Sequence, residues 1–380
     1  MFWNWGKKKI NRERILAFDL LRGAFLLEII SFHIIWSPSL FIFIGGGSKL
    51  PASAAEGFFT ISGLLVGYLY GPKVLKETKK VFKKIWKRAF LLYALTVFFT
   101  FLYTAWAVLE PESSKYATMW AGSPLEFIRK TLTLRYTFGW ADFLARYAVF
   151  MFYAPFAVWL IAKGKAWIVA AASIAVWFFF RHTDILLPYS AWQVIFMLSI
   201  ILGYYLPHIE AWFRDLPKST RRVVAGTICS TALITYALSM ISLVVIPILH
   251  PGDQVIATFN AQLIAHFDKD HLDPARIAVG ILWFAALYII FRRYEKTISR
   301  YTLGVLEVFG RQSLLVYCTH AFILFALDIY FRPPEGHTKI ANTIVTLAVM
   351  AVIYLIAYYR VHITSFGKKI LSNRSTTQIP

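Results

Sequence analysis

Apolar stretches of helical length recur along the whole chain, and charged residues collect between them. Each stretch is about 17–25 residues long, the length that an α-helix needs to cross a ~30 Å hydrocarbon layer. Because the backbone must satisfy its own hydrogen bonds in that layer, the pattern predicts helices. A β-barrel would need alternating segments of about ten residues, and the sequence does not show that alternation.

The pattern predicts an all-α integral membrane protein with about ten transmembrane helices. The expected organisation is a basic segment 1–14, one transmembrane domain over 15–360 and a tail over 361–380. Pro247 is expected to end or kink the seventh span. The predicted spans lie near residues 15–36, 54–71, 86–107, 140–162, 166–181, 190–207, 223–248, 276–292, 311–331 and 341–360.

The distribution of Lys and Arg predicts the orientation of these spans. With the N-terminus inside, the inner segments hold most of the basic residues, including a lysine-rich run over 73–84. The outer segments hold far fewer, although they are longer. This bias is the positive-inside pattern. We therefore expect a multi-pass protein of the inner (cytoplasmic) membrane with both termini in the cytoplasm.

Composition supports the class of integral membrane protein and limits the kinds of partner that we expect. Of the 380 residues, 58% are hydrophobic and only 16% are charged, against about 25% charged in a typical soluble domain. We interpret the net charge of +20 as a result of the Lys and Arg residues that orient the spans and attract anionic membrane lipids. No nucleic-acid partner is therefore expected. The basic segments 73–88 and 292–300 could also attract a polyanionic cytoplasmic ligand. Cys229 and Cys318 offer neither a disulfide framework nor a metal site.

The first span carries ionisable residues, which are costly in a membrane and therefore mark candidate functional positions. Asp19 and Arg22 are three residues apart and share a helix face, either as a structural ion pair or as part of a site. His33 follows Arg22 by eleven residues, close to three turns, and returns to that face about 16 Å further out. A packing hydrogen bond is the alternative interpretation of His33.

The second span combines a small-residue face with one acidic residue. Gly63, Gly67 and Gly71 recur every four residues, which favours close packing with another helix. Glu56 should lie near the outer side, at a depth similar to that of His33. A carboxylate beside a histidine orients the ring and fixes its tautomer, which suits general-base chemistry. We therefore predict a His33–Glu56 pair.

Other polar residues inside or at the ends of predicted spans are weaker candidates. The simplest interpretation of Arg88 is an arginine whose side chain extends to the inner interface of the membrane. Asp142 and Arg146 are four residues apart and could simply pair with each other. His320 lies in the middle of the ninth span and is harder to attribute to packing. The candidates of this group are Arg88, Asp142, Arg146, Gln193, Arg276, Ser313 and His320.

The ordered set of motifs resembles the transmembrane acyltransferase 3 superfamily over nearly the whole chain. The opening Asp19-Leu-Leu-Arg22-Gly23 followed by His33, the segment 58–63 and the basic run ending at Arg88 carry this resemblance. Lys84 is a departure, because related acyltransferases often have a second arginine there. Further segments look most like the OpgC branch of this superfamily, which succinylates osmoregulated periplasmic glucans. These segments are 55–63, 88–93, 141–147, 191–193 and 310–314 with His320.

The resemblance implies transfer of an acyl group from a cytoplasmic acyl-CoA donor to a sugar hydroxyl outside the membrane. Asp19, Arg22 and Arg88 would bind the donor, with no bound cofactor or metal. His33 would act as the general base and Glu56 would hold the resulting imidazolium. A covalent acyl-enzyme on Ser62 or His33 stays open.

Several alternatives remain open from the sequence. The donor could be succinyl-CoA or acetyl-CoA, and the acceptor a periplasmic or a surface glucan. A succinyl carboxylate would need one cation, for which Arg146, Arg276 and Lys269 are all possible. The rival functions are an acetyltransferase of a surface or lipid-linked polysaccharide and a non-catalytic transporter of sugar or lipid.

Overall fold

The computed structural model describes residues 14–110, 122–183 and 187–376. No strand occurs in these described ranges, so the predicted all-α class is confirmed for them. The α-helices are α1 (Leu16–His33), α2 (Ile42–Gly45), α3 (Ala54–Tyr70), α4 (Thr78–Leu109), α5 (Pro124–Leu132), α6 (Ala141–Ala162), α7 (Ala166–Phe180), α8 (Leu187–Asp215), α9 (Lys218–Met240), α10 (Ile246–Leu249), α11 (Gln254–Ala265), α12 (Pro274–Arg293), α13 (Glu295–Tyr301), α14 (Val305–Arg311), α15 (Ser313–Tyr330) and α16 (Lys339–Thr376).

Within the described residues, seven helices are long and apolar enough to cross a membrane. They are α4, α6, α8, the continuous α9–α10 segment, α12, α15 and α16. The chain is therefore a multi-pass membrane protein. Two further predicted spans correspond to the shorter apolar helices α3 and α7, and the first corresponds to α1. The number of ten spans and the orientation of the termini stay predictions.

Several helices extend beyond the predicted spans. α4 begins at Thr78 rather than at 86, α8 continues to Asp215 rather than to 207, and α16 continues to Thr376 rather than to 360. The hydropathy pattern detects only the apolar part of a helix, whereas polar residues support the helix in water beyond it. Near Pro247 the regular helix changes form, with a π-helical turn over Ile241–Val245 and an end at Leu249. This agrees with the predicted effect of the proline.

The contacts divide the chain into two compact units. The first contains residues 49–286, and the second contains 15–48 together with the residues from 287 onwards. The predicted basic segment 1–14 lies outside the described residues except for Arg14. The prediction of one domain over 15–360 stays a prediction.

In the first unit, glycines allow α3 and α8 to pack backbone against backbone. A Cβ at Gly63 would clash with the carbonyl oxygen of Phe196, and one at Gly67 would clash with that of Ile200. Gly203 of α8 approaches α3 in the same way. The predicted small-residue face is confirmed, and its partner is α8.

An aromatic cluster fills the space between α3, α6 and α8. The ring centroid of Phe59 lies 4.4 Å from that of Phe143, 5.4 Å from that of Phe150 and 5.5 Å from that of Trp192. Phe59, Phe150 and Trp192 are almost completely buried. Because lipid does not drive helices together as water does, such close van der Waals packing is what holds this unit together.

In the second unit, α13 and α14 form a short helical hairpin that packs along α1. The backbone N–H of Ala17 on α1 donates to Glu295 at the start of α13. A Cβ at Gly23 would clash with the carbonyl oxygen of Leu306, and one at Gly310 would clash with that of Asp19. α14 therefore runs antiparallel to α1, and both glycines belong to the motifs that carry the family resemblance.

Candidate active site

Two histidines of the second unit meet at the end of α1. His33, the last residue of α1, places its Nδ1 3.3 Å from Nε2 of His320 on α15. The ring centroids are 5.5 Å apart and the ring planes are 23° apart. His320 is completely buried, whereas His33 is half-buried. Both residues are candidates from the sequence, but the sequence did not predict that they are partners.

With both rings neutral, the hydrogen bonds of His320 assign one tautomer to each ring. Nδ1 of His320 lies 2.5 Å from the carbonyl oxygen of Tyr317, one helical turn earlier. A carbonyl only accepts, so this nitrogen carries the proton, and Nε2 of the neutral ring holds a lone pair. That lone pair accepts the Nδ1–H of His33. Nε2 of His33 is then the unprotonated nitrogen.

This arrangement can support general-base chemistry. A neutral imidazole whose second nitrogen is held by a buried partner presents its lone pair in a fixed direction. His320 is in turn oriented by the main chain of α15. His33 is thus the candidate base, His320 orients it, and the Tyr317 carbonyl anchors His320. The contact between His320 and the Tyr317 carbonyl could have been suggested from the sequence, because the two residues are one helical turn apart.

Glu56 lies in the first unit, at the start of α3. Its Oε2 accepts the backbone N–H of Ser53 at 3.0 Å and the Ser53 hydroxyl at 2.5 Å, forming a capping box. Its Oε1 accepts from Nε of Arg276 on α12. Both charged side chains are buried. This ion pair was not predicted.

The remaining nitrogens of Arg276 are also engaged. One terminal nitrogen donates to the carbonyl oxygen of Phe267 at 3.1 Å, and the other lies 3.5 Å from the Ser53 hydroxyl. A buried ion pair of this kind costs desolvation free energy, and these extra hydrogen bonds offset part of it. The predicted pairing of Glu56 with His33 joins the two units and stays a prediction.

The segment that supplies the Phe267 carbonyl is organised by Asp268. Its Oδ1 accepts the backbone N–H groups of Asp270 at 2.7 Å and His271 at 2.9 Å. Burial tends to raise the pKa of Asp268, but hydrogen bonds from His271 and Asp270 outweigh it and lower the pKa below its usual value. Lys269, a candidate partner for a succinyl carboxylate, is exposed.

Two further basic candidates of the first unit lie against aromatic rings. Arg146 forms the expected ion pair with Asp142 at 2.6 Å, and its guanidinium lies 5.4 Å from the centroid of Trp192. Arg88 lies 5.8 Å from the ring centroid of Tyr147 on α6. Such contacts stabilise a desolvated cation.

Gln193 and Ser62 have structural surroundings. The Gln193 amide donates to the main-chain oxygen of Ser173 at 2.8 Å and accepts from its hydroxyl at 2.7 Å, which ties α7 to α8. Ser62 is buried, and its hydroxyl has no hydrogen-bond partner among the described residues. A serine nucleophile requires an adjacent base, and the described part of the chain supplies none in hydrogen-bond contact.

The remaining candidates of the second unit lie on α1 and α15. Asp19 is buried, and its main-chain carbonyl faces Gly310. Arg22 is half-buried one turn further along α1. Ser313 is buried at the first position of α15. Their predicted roles in donor binding or catalysis stay predictions.

One comparison with known proteins gives a match. The family model described as OpgC protein matches residues 14–365, nearly the whole chain. No curated protein and no solved structure matches the chain.

Proposed function

Because the chain belongs to the OpgC protein family, we propose that it is an O-acyltransferase of the inner membrane that modifies a periplasmic glucan. The family and the apolar helices support a membrane acyltransferase-like role in glucan modification. The donor in this proposal is a cytoplasmic acyl-CoA, with succinyl-CoA as the first candidate. The base is His33.

The observation that carries this proposal is the hydrogen-bond chain from Tyr317 through His320 to His33. With both rings neutral, this chain gives the proton of His33 to Nδ1 and the lone pair to Nε2, which can then accept a proton. A sugar hydroxyl is a weak nucleophile at neutral pH, and a positioned base accelerates its attack by about 10²–10⁴-fold.

The proposed reaction transfers one proton and one acyl group. Nε2 of His33 takes the proton of the sugar hydroxyl while the oxygen attacks the thioester carbonyl of the donor. The carbon–sulfur bond then breaks, and the imidazolium returns its proton to the leaving thiolate. The products are the glucan ester and free coenzyme A. His320 stabilises the transient imidazolium by accepting its Nδ1–H throughout.

Donor binding is assigned to the inner part of α1 and α4. Arg22 and Arg88 would hold donor phosphates, and Asp19 would orient Arg22. Along α1, Arg22 lies about 16 Å from His33 at ~1.5 Å per residue, of the order of the length of a pantetheine arm. This arrangement requires the proposed orientation, with the start of α1 on the cytoplasmic side and both termini inside.

The test uses the purified protein in proteoliposomes with radiolabelled succinyl-CoA or acetyl-CoA and periplasmic glucan. We expect labelled glucan from the native protein, and at least a hundredfold less from His33→Ala. His250→Ala is the matched control, because His250 is exposed at the end of α10. It should retain full activity.

Other outcomes would contradict the proposal. Full activity of His33→Ala would remove His33 as the base. Movement of labelled donor without labelled glucan would indicate a transporter. Label that reaches only a lipid-linked or surface polysaccharide would replace the glucan as acceptor, and label trapped on the protein would indicate a covalent acyl-enzyme.

A further inference from the structure

The turn between α13 and α14 exposes two large apolar side chains. Tyr301 is 83% exposed and Leu303 is 85% exposed. The turn is nevertheless well ordered by its backbone: the N–H of Leu303 donates to the carbonyl of Arg300 at 3.1 Å, and that of Gly304 donates to the carbonyl of Ser299 at 2.9 Å. Its apolar tip therefore belongs to a defined structure.

Leu303 occupies a backbone conformation that does not favour leucine. Its φ is 50°, in the left-handed region where glycine and asparagine are the usual residues. The exposed side chain makes little contact with the rest of the described chain. A leucine at this position is therefore explained best by a partner outside the chain.

The contacts with α1 show how deep the hairpin reaches. Glu295, at the start of α13, lies beside Ala17 near the start of α1. Leu306, just after the turn, packs at Gly23, and Gly310 returns to the level of Asp19. The turn is thus about 9 Å further along α1 than the base of the hairpin, at ~1.5 Å per residue.

A side-chain hydrogen bond connects the two helices of the hairpin. The Ser299 hydroxyl of α13 donates to Glu307 of α14 at 3.1 Å, and Glu307 also pairs with Arg311. Glu295 accepts from Arg292 at 3.2 Å. Both acidic residues of the hairpin therefore have a basic partner: Glu307 pairs with Arg311 inside the hairpin, and Glu295 pairs with Arg292 at the end of α12.

The charge that remains on the outside of the hairpin is positive. Arg293 and Lys296 are exposed near its base, and Arg300 is exposed one residue before Tyr301. A basic base and an apolar tip about 9 Å further in match the depth at which amphipathic segments enter a leaflet, about 5–10 Å. Tyr is also common at the membrane interface.

We propose that the α13–α14 hairpin is re-entrant. Its tip, Tyr301 and Leu303, enters the acyl region of the inner leaflet, and its base, Arg293 and Lys296, binds the phosphates of anionic phospholipids. The assignment to the inner leaflet rests on the orientation in the proposed function. The lipid would hold α14 against the part of α1 that carries Asp19.

The test places a fluorescent thiol label at the tip or at the base. Leu303→Cys and Lys296→Cys are made in a chain carrying Cys229→Ser and Cys318→Ser, and are reconstituted into phosphatidylcholine with or without phosphatidylglycerol. We expect a spin label on the acyl chain to quench the Leu303 position at least twofold more than a spin label on the headgroup does. At Lys296 the order should be reversed, and phosphatidylglycerol should strengthen the headgroup quenching.

The opposite results would overturn the proposal. Equal quenching of both positions by aqueous iodide, with none by lipid labels, would place the hairpin in water. Protection of Leu303 only after addition of acyl-CoA would make the tip part of the donor site, and protection only at high protein density would indicate a second copy of the chain.

Two additions keep the test decisive. If the cysteine-free chain does not fold, a photoreactive benzoylphenylalanine at 303 in the native chain should cross-link to phospholipid. No readout requires acyl transfer, so an inactive protein would leave this result intact. Labelling of Lys296→Cys by a membrane-impermeant thiol reagent only from the cytoplasmic side tests the orientation separately.

Discussion

The two units contain polar pairs of opposite character. In the second unit, His33 and His320 are hydrogen-bonded to each other, and with both rings neutral Nε2 of His33 carries a lone pair. In the first unit, Glu56 and Arg276 form a buried ion pair in which Ser53 and the Phe267 carbonyl take up further hydrogen bonds.

In the proposed function, this difference separates a polar residue that reacts from polar residues that hold a structure. A carboxylate satisfied by an arginine and a capping serine gains little from accepting a proton, and its removal leaves a buried charge. A neutral histidine with one fixed nitrogen can accept a proton and return it at small cost. Both kinds look alike in the sequence, as single ionisable residues in apolar stretches.

The largest effect on stability is expected at the ion pair. Glu56→Ala or Arg276→Ala should each lower the free energy of unfolding by about 3–5 kcal/mol, because each leaves the partner charged and buried. Denaturant titration of the protein in detergent measures this. The double variant should lose less than the sum of the single variants. If Glu56→Ala is as stable as the native protein but inactive, Glu56 is catalytic and the comparison fails.

The next largest effect is expected at His320. His320→Ala should lower kcat/KM about a hundredfold, or ~2.7 kcal/mol, since His33 loses the partner that fixes its tautomer. His320→Gln should recover most of the activity, because its amide oxygen can accept the Nδ1–H of His33. The pH dependence of kcat/KM should shift in the alanine variant and return in the glutamine variant. A purely structural role would lower the yield of folded protein and leave the pH profile unchanged.

A smaller effect is expected where α14 contacts α1. Gly310→Ala should destabilise the protein by about 1–3 kcal/mol, because the added methyl group meets the Asp19 carbonyl oxygen. Gly226→Ala on α9 is the control, because no described residue outside the adjacent backbone of that helix lies within 4 Å of the added Cβ. That variant should be as stable as the native protein or slightly more stable. Thermal denaturation of both variants would show whether packing alone explains a loss of stability in the second unit.

The smallest effect is expected at the half-exposed ion pair of α6. Asp142→Asn should cost only about 0.5 kcal/mol, since the pair with Arg146 is four residues apart on one helix and the Asp142 side chain is 43% exposed. The same denaturant titration applies. A loss as large as that of Glu56→Ala would show that burial does not distinguish the two pairs.

Local features of the fold could be predicted from the sequence. The all-α class, the glycine face of α3 and the Asp142–Arg146 pair all depend on residues within one or two turns, whose geometry the helix fixes. The helix ends were predicted less well, because α4, α8 and α16 continue into polar sequence that the apolar pattern does not detect.

The long-range pair within each unit could not be predicted. His33 and His320 are 287 residues apart, and Glu56 and Arg276 are 220 residues apart. Helix periodicity gives the face of each residue along one helix, but it does not say which faces of different helices meet. The helices α13 and α14 were not predicted either, because the segment 293–310 carries too many polar residues for the apolar pattern to detect them.

The most direct test of the account compares His33→Ala, His320→Ala and the double variant in the labelled-glucan assay. If His320 acts only through His33, the double variant should transfer label at the same residual rate as His33→Ala, because the two residues act as a unit. A double variant that is slower than His33→Ala by the full factor of His320→Ala would contradict the proposed chain from Tyr317 to His33.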